Sequence, residues 1–393
     1  MAHLGPDVLV DVTPLALGSR QQGIGTYIVN LTRALAALPP EEFLGLRIAA
    51  LADWRRGSPE VAPLDEAAER VQEWEGAVYS ARRFVWGRRF ELGRAVRRAA
   101  PRLIHLTEAI GMPFLPGCPR IVTCHDLIPL LFIELYARRR PRLARLRRLP
   151  HELVRYHGAR RILADSETTK HDLHRLLGVP EAKIDVALLG IDAATFQPRP
   201  EPEEKPSLER EYQLDRPYVL YVGSGDPRKN LPFLVEVFAA SGLAKNMLLA
   251  LAGSFHHSHR PMIEDAVDRC GLRENARLLG YVSEAHLPAL YRNASVFAFP
   301  SLYEGFGLPI LEAMACGTPV VTTDCGSLAE AAGEVALTAR PGDIEAWATA
   351  LRRAVTDDGW RRAATAAGLE QARRFTWAAC ARATVASYRA ALQ

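Results

Sequence analysis

The sequence predicts an α/β protein built as two similar halves joined by a linker. Short apolar runs alternate with amphipathic stretches along the whole chain, the pattern of parallel strands with crossover helices. Several of those runs end in a glycine-containing turn that opens a helix. Between the halves, from Gln197 to Pro217, the text QPRPEPEEKPSLEREYQLDRP crowds proline with glutamate and loses apolar periodicity, as a linker does. A chain of 393 residues is long enough for two domains of ordinary size.

The bulk numbers exclude several classes. Hydrophobic content of 48% and charged content of 24% fit a soluble globular protein, and a net charge of +4 implies no nucleic-acid partner. Cys118, Cys124, Cys270, Cys316, Cys325 and Cys380 contain no C-x-x-C pair and read as reduced thiols of a cytoplasmic protein. No basic and apolar signal pattern opens the chain, and no apolar run approaches the ~20 residues of a membrane span. His256, His257 and His259 lie close together without an accompanying carboxylate or thiolate motif, so they read as a solvated loop.

In the first half, residues 7–14 are a strand, followed by a polar loop from Gly18 to Gln22. Gly23-Ile24-Gly25-Thr26-Tyr27 then turns into an amphipathic helix, Ile28 to Leu38. The dinucleotide fingerprint G-x-G-x-x-G fails, because Ile28 stands where its third glycine belongs. Further strands are expected at Leu46–Leu51, Leu103–Leu106, Ile121–Thr123 and Ile162–Ala164. Ligands of parallel sheets gather at the carboxyl ends of strands, and three polar clusters fall there. They are His105 to Glu108, Cys124-His125-Asp126, and Asp165 to Lys170, where Ser166 or Asp165 caps a helix. His125 reads either as a functional group or as a structural histidine satisfied by its neighbours. Two arginine-rich stretches, 82–98 and 138–148, mix basic with large apolar residues. That mixture suits a segment lying on anionic lipid, and equally a solvated helix face.

The second half restarts with a strand, Tyr218 to Val222, then Gly223-Ser224-Gly225-Asp226-Pro227-Arg228-Lys229-Asn230 and a helix, Leu231 to Ala240. Strands at Met247–Ala252 and Ala276–Leu279 follow, with helices at Met262–Cys270 and Glu284–Asn293. Next comes the densest motif, residues 299–323, FPSLYEGFGLPILEAMACGTPVVTT. It reads as a strand end, a loop with Glu304 and Gly305-Phe306-Gly307, a helix from Ile310 to Cys316 marked by Pro309 and Gly317, and a strand, Val320 to Thr323. Helices opening at Gly326, spanning Asp343–Thr356, and running from Arg361 to Gln393 end the chain, the last anchored by Trp377 and Tyr388.

The free N–H groups and the dipole at a helix start make an anion site, typically for phosphate. Arg228 and Lys229 add the positive charge that a diphosphate needs. Glu304 and Glu312 would be repelled by phosphate unless they bind something else, and sugar or ribose hydroxyls are the natural ligands. This combination suits a sugar attached to a nucleoside diphosphate. No D-x-D occurs in the chain, so the leaving diphosphate is expected to be stabilised by Arg228 and Lys229, without a metal or other cofactor.

The stretch from Phe299 to Thr322 resembles the E-x7-E signature of glycosyltransferase family 4, retaining enzymes of the GT-B fold, with Glu304 and Glu312 as the pair. The resemblance extends over nearly the whole chain. It includes the Gly23/Gly25 loop, His125-Asp126, Ser166-Glu167, LLGID at 188–192 with Phe196, and Arg228-Lys229-Asn230. It implies two Rossmann-like domains facing each other across a cleft. Residues 1–198 would be the acceptor domain, 199–217 the linker, 218–372 the donor domain, and 373–393 a helix crossing back to the first domain. It also implies that Glu312 binds ribose and Glu304 the donor sugar, with Lys229 and Arg228 on the diphosphate. The amides around Gly305, Phe306, Gly307 and Leu308 would meet diphosphate and sugar, and Tyr281 and Val282 would flank the base. Gly223 and Ser224 would line the donor, with His125, Gly23 and Gly25 approaching from the other domain. Many relatives carry arginine where this chain has Ser224, which leaves open which cation meets which phosphate.

Within the family, the text is most similar to bacterial mannosyltransferase-like enzymes of surface polysaccharide assembly. GDP-mannose is then the expected donor and a growing or lipid-linked saccharide the acceptor. A UDP-sugar such as UDP-glucose, with a small-molecule or lipid acceptor, is the alternative. Other classes fit less well. A glycosidase needs no phosphate cradle, an oxidoreductase needs a better fingerprint, and an inactive sugar-nucleotide-binding protein would not need the full set of side chains.

Overall fold

A computed structural model describes residues 5–17, 23–43, 45–53, 59–73, 81–108, 118–136 and 141–393; for residues 16, 17, 72, 73, 81–89 and 141–147 it describes the backbone alone. The polar loop expected at 18–22 lies outside the described residues, as do most arginine side chains of the two basic stretches.

The chain divides into two compact units, residues 1–190 with 376–393, and residues 191–375. The first holds β1 (Val8–Asp11), β2 (Ile48–Ala52), β3 (Glu60–Pro63), β4 (Leu103–Leu106), β5 (Arg120–Cys124), β6 (Arg161–Ala164) and β7 (Ile184–Val186). They form one sheet in the order β3-β2-β1-β4-β5-β6-β7, parallel except for β3, which runs antiparallel to β2 at the edge. The second unit holds β8 (Tyr218–Val222), β9 (Leu248–Ala252), β10 (Ala276–Gly280), β11 (Val296–Phe299), β12 (Val320–Thr323) and β13 (Leu337–Ala339). Its sheet is fully parallel, in the order β10-β9-β8-β11-β12-β13. Each order reverses once, between β1 and β4 and between β8 and β11, and in such sheets the crevice at that reversal is where ligands bind.

The central strands are apolar on both faces because helices cover both. Val8, Leu9 and Val10 of β1 are fully buried, and so are Val296 to Phe299 of β11. The strands the sequence did not reveal are β3, β7 and β13. All lie at sheet edges, where they are short and carry exposed or half-buried positions, so no apolar run marks them.

Three segments differ from the sequence reading. Gly23 and Gly25 do not form a turn before the first helix; they sit inside its first turn, since that helix spans Gly23–Ala37. The expected linker contains a helix, Glu204–Tyr212, with Pro206 in its first turn where a missing N–H does no harm. Glu204 is buried and paired with the Arg292 guanidinium, and Leu208 and Leu214 are buried too, so this stretch packs into the second unit. The last predicted helix is two, Asp358–Arg373 and Trp377–Leu392, separated where Phe375 turns inward and Thr376 caps the second through the Ala379 amide.

The helix Trp377–Leu392 packs in the first unit, against the helix Gly23–Ala37 and against β4, β6 and β7. It is tied there by polar contacts as well as by Trp377 and Tyr388. Ser387 donates to Asp185 at 2.6 Å, and the Tyr388 hydroxyl lies 2.7 Å from His105 Nδ1. Its start runs so close to Gly190 that a Cβ there would stand 2.1 Å from the Trp377 amide nitrogen and 2.4 Å from the Thr376 carbonyl carbon. Backbone cannot yield as a flexible side chain does. Gly190→Ala is therefore expected to lose about 2–3 kcal/mol of stability by forced overpacking, read by urea or thermal unfolding; an unchanged midpoint would contradict this close approach.

Candidate functional site

In the second unit the switch point between β8 and β11 carries a cluster of charge. Beyond β8, Asp226 caps a short turn by accepting the Arg228 amide at 3.0 Å, and Pro227 fixes the next backbone step. This aims Arg228 and Lys229 toward the end of β11. There Lys229 Nζ meets Glu304 Oε1 at 2.6 Å, and Arg228 Nη1 meets Glu304 Oε2 at 2.8 Å. Ser301 Oγ donates to the same Oε1, and Ser327 Oγ donates to the Glu304 carbonyl at 2.6 Å. Leu302 N donates to the Arg228 carbonyl and Arg228 Nη1 to the Tyr303 carbonyl, which stitches the two loops together.

All three charged groups are withdrawn from water, with side chains 10–16% exposed. Burial opposes ionisation of Glu304, but the charges of Lys229 and Arg228 outweigh it and hold the carboxyl below its usual range. Burial lowers Lys229 in spite of Glu304, and its ammonium also faces the Phe299 ring at 4.9 Å.

After Glu304 the chain enters the helix Leu308–Ala315, two residues earlier than the sequence suggested. Gly307 caps it at φ +115°, a conformation that strains any residue with a Cβ, and Pro309 therefore falls at the second helical position. The Phe306 ring is turned into the core against Phe375 at 5.7 Å. Glu312 is half-buried, and its Oε2 accepts from the Tyr291 hydroxyl at 2.8 Å. Burial pushes its carboxyl up to about 7, the Tyr291 hydrogen bond opposes this, and the Glu284 charge adds to it. Gly223 ends β8, Ser224 is exposed with its carbonyl accepting from Tyr221, and beyond β10 Tyr281 is exposed and Val282 buried.

The first unit has its own strand-end cluster. His125, Asp165 and Thr107 follow β5, β6 and β4, three adjacent strands. His125 Nδ1 lies 2.6 Å from Asp165 Oδ2 and Nε2 lies 2.9 Å from the Thr107 carbonyl. Both ring nitrogens thus face acceptors, a geometry only the imidazolium satisfies. Burial works against that charge, yet Asp165, Thr107 and Asp126 together raise His125 to about 9. His105, one sheet position away, behaves oppositely. It joins Tyr388 and Thr123 hydroxyls, and Thr123 in turn meets Tyr27 at 2.9 Å. Burial, helped by the His125 charge, holds it down to about 3 and keeps it neutral.

The structure thus brings Arg228, Lys229 and Glu304 together, while His125, Gly23 and Gly25 belong to the other unit. Sequence reasoning singled out neither Ser301, Asp226, Tyr291 nor the Asp165–His125 pairing. Asp226-Pro227 ahead of the two cations was a legible cap, and Asp165 already stood in a strand-end cluster; Ser301 and Tyr291 had no signal of their own. Among the described residues, no group of three or more His, Cys, Asp or Glu side chains is arranged to hold a metal.

His125 gains its proton's stabilisation only in the folded state. Because its folded value lies above the usual one for histidine, on the order of 3 kcal/mol is present below about pH 6.5 and is lost as pH rises through about 9. The melting-temperature gap between the wild type and His125→Gln is expected to narrow over that window. A gap that stays constant would contradict a folded-state imidazolium.

Comparison with known proteins follows this geometry. Residues 204–371 match the family described as Glycosyl transferases group 1, and residues 22–195 match Glycosyltransferase Family 4. The chain is 35% identical over 271 residues to the O-antigen chain mannosyltransferase B of Escherichia coli, covering 68% of this chain and 70% of that one. It is 28% identical over 285 residues to a serotype-specific mannosyltransferase WbdA of Escherichia coli, 70% of this chain but only 34% of WbdA, so it spans about a third of that relative's length. Among solved structures, it is similar to sucrose-phosphate synthase from Thermosynechococcus elongatus, with a TM-score of 0.75, 22% identity and 98% coverage of both chains. It is also similar to Anabaena HepE in complex with UDP and glucose, with a TM-score of 0.70, 15% identity, and coverage of 98% and 100%. With two parallel-sheet α/β units and relatives that are glycosyltransferases, the chain belongs to glycosyltransferase family 4, enzymes of the GT-B fold.

Proposed function

We propose that the enzyme transfers mannose from GDP-mannose to a hydroxyl of a growing or lipid-linked saccharide, with retention and without a metal. The observation that carries this reading is the Arg228–Lys229–Glu304 cluster at the β8–β11 switch point, beside the glycine-capped helix start. The mannosyl assignment is supported by the E. coli O-antigen mannosyltransferase relative. In the reaction, the bond from sugar C1 to the diphosphate oxygen breaks with its electron pair going to the diphosphate. The acceptor oxygen forms the new bond to C1 on the face the leaving group vacates, and its proton passes to the departing phosphate oxygen, the nearest base on that face. Arg228 and Lys229 stabilise the charge that develops there, as fixed cations in a water-poor site do best. Glu312 accepts ribose hydroxyls, Glu304 accepts sugar hydroxyls, and the amides of Gly305 to Leu308 meet phosphate and sugar. Tyr281 and Val282 flank the base beside Gly223 and Ser224. The first unit, which carries His125, Gly23 and Gly25, reads the acceptor.

The test is release of nucleoside diphosphate from GDP-mannose and from UDP-sugars, with and without EDTA. GDP release unaffected by chelation is expected; activity lost to EDTA and restored by a divalent ion would refute the metal-free step. Lys229→Ala is expected to lower kcat about a hundredfold, and retained turnover would remove it from the leaving-group role. Glu312→Ala is expected to raise the donor KM roughly ten- to a hundredfold; an unchanged donor affinity would refute the ribose contact.

A lipid-linked acceptor also calls for contact with a membrane surface. Among the described residues no helix is long and apolar enough to cross a membrane. The helix Ala81–Ala99 buries Leu92 and Val96 while exposing Phe90, Arg94, Arg97 and Arg98, and the helix Pro141–His157 exposes Val154 and Arg148. Exposed apolar side chains among arginines suit attachment to anionic lipid. Binding to anionic vesicles is expected at low salt and is expected to weaken as salt rises. Absence of binding at low salt would dismiss this contact.

A further inference from the structure

Glu304 has more partners than a sugar-binding carboxylate needs. A carboxylate offers about four lone-pair directions. Lys229 and Ser301 take Oε1 and Arg228 takes Oε2, which leaves little capacity for sugar hydroxyls. A diphosphate makes the same demand on the same two cations, because phosphate and carboxylate oxygens are alternative acceptors for guanidinium and ammonium. We infer that Glu304 and the donor's diphosphate compete for Lys229 and Arg228, and that passage of these cations to the diphosphate frees Glu304 to accept hydrogen bonds from the sugar. This inference rests on the donor-site reading above.

The framework around the carboxylate is built to stay in place while the long cationic side chains move. Ser327 Oγ holds the Glu304 carbonyl, Thr323 Oγ1 holds the Ser301 carbonyl at 2.7 Å, and Leu302 N is fixed to the Arg228 carbonyl. Ser301 is fully buried and its hydroxyl stays on Oε1 when the cations leave. It is therefore a positioning residue, keeping Glu304 aimed and ionised. The exchange makes sugar binding conditional on the diphosphate, and by linkage each raises the affinity of the other. A free sugar meets a carboxylate already satisfied, which guards the site against the unactivated sugars that surround any such enzyme.

The experiment is calorimetric titration of inorganic pyrophosphate and of GDP into the wild type, Glu304→Gln, Glu304→Ala and Ser301→Ala, with melting curves as a check on folding. Glu304→Gln removes the competing charge and is expected to bind pyrophosphate at least about tenfold tighter while losing turnover. Ser301→Ala removes the hydrogen bond that stabilises the ionised Glu304 once the cations have left, so it is expected to weaken pyrophosphate binding about threefold, and unchanged or tighter binding would count against the exchange. A sugar-contacting carboxylate without this competition gives unchanged pyrophosphate affinity, and a merely structural one gives weaker binding. Either result in folded Glu304→Gln overturns the inference. If Glu304→Gln does not fold, Glu304→Ala, which removes the same competing charge, decides in its place, with unchanged or weaker pyrophosphate binding counting against the inference. A wild type that binds neither pyrophosphate nor GDP would instead overturn the donor-site reading.

Discussion

The arrangement of the second unit depends on one ionic contact, the pairing of a buried carboxylate with two cations at the β8–β11 switch point. Removing such charges from water is unfavourable by several kcal/mol per ion unless each is paired and its hydrogen-bonding capacity is met. Here the pairing is met from three directions. Asp226 fixes the turn bearing the cations, Ser301 and Ser327 fix the loop bearing Glu304, and Leu302 N joins the two through the Arg228 carbonyl. The loops that must meet a substrate are thereby held by charge and hydrogen bonds rather than by packing. Replacing any one member by an apolar residue leaves a buried charge without its partner, so the site's geometry and its stability share the same residues.

The first unit solves a related problem with histidines. His105 lies in β4 and is buried, His125 follows the neighbouring β5 and is largely withdrawn from water, yet one is neutral and one is charged. The difference lies in what faces the rings. His105 meets two hydroxyls, each able to give or take a proton's hydrogen bond, so the neutral ring is satisfied and burial decides. His125 meets a carboxylate and a carbonyl, acceptors only, so the protonated ring is the satisfied form. The neutral chain running from Tyr388 through His105 and Thr123 to Tyr27 also ties the final helix to the first one across the sheet. Tyr27 closes the connection by setting its ring edge-on to His125 at 4.9 Å.

How much of this was legible follows from the physics of each element. Central strands such as β4, β8 and β12 are buried on both faces, so an apolar run marks them and their limits were read without error. The edge strands β3, β7 and β13 carry no such run and escaped, whereas the edge strand β10 was read. The helix Glu204–Tyr212 escaped because proline and glutamate mask its one buried leucine, Leu208, and its anchoring partner Arg292 lies far along the chain. The candidate site divides in the same way. Cations and carboxylates at strand ends could be named from spacing alone. Their mutual pairing could not, because Arg228 and Glu304 meet only once β8 and β11 become neighbours across two intervening strands in sequence. Glu304 consequently read as a sugar ligand, and its contact with both cations is knowledge that only the folded chain supplies.

The spacing of the two signature glutamates gains meaning from this. Glu304 lies in the loop before the helix and Glu312 within it, so the helix start stands between them. One side of that start carries two cations, and they hold the carboxyl there below its usual range. The other side offers Tyr291 and the more distant charge of Glu284, and the carboxyl there sits near neutrality. Two identical side chains are thus separated in protonation by their surroundings, which is how one fold obtains distinct roles from paired carboxyls. In the proposed site, a carboxylate held ionised by its cations could trade them with the diphosphate. A group poised near pH 7 responds instead to its ligand: in the proposed ribose contact, hydroxyls donating to the ionised form would favour deprotonation and draw the group into binding. On the proposed donor site, recognition would couple to proton release at Glu312 and to cation exchange at Glu304, two separate electrostatic events set before and within one short helix.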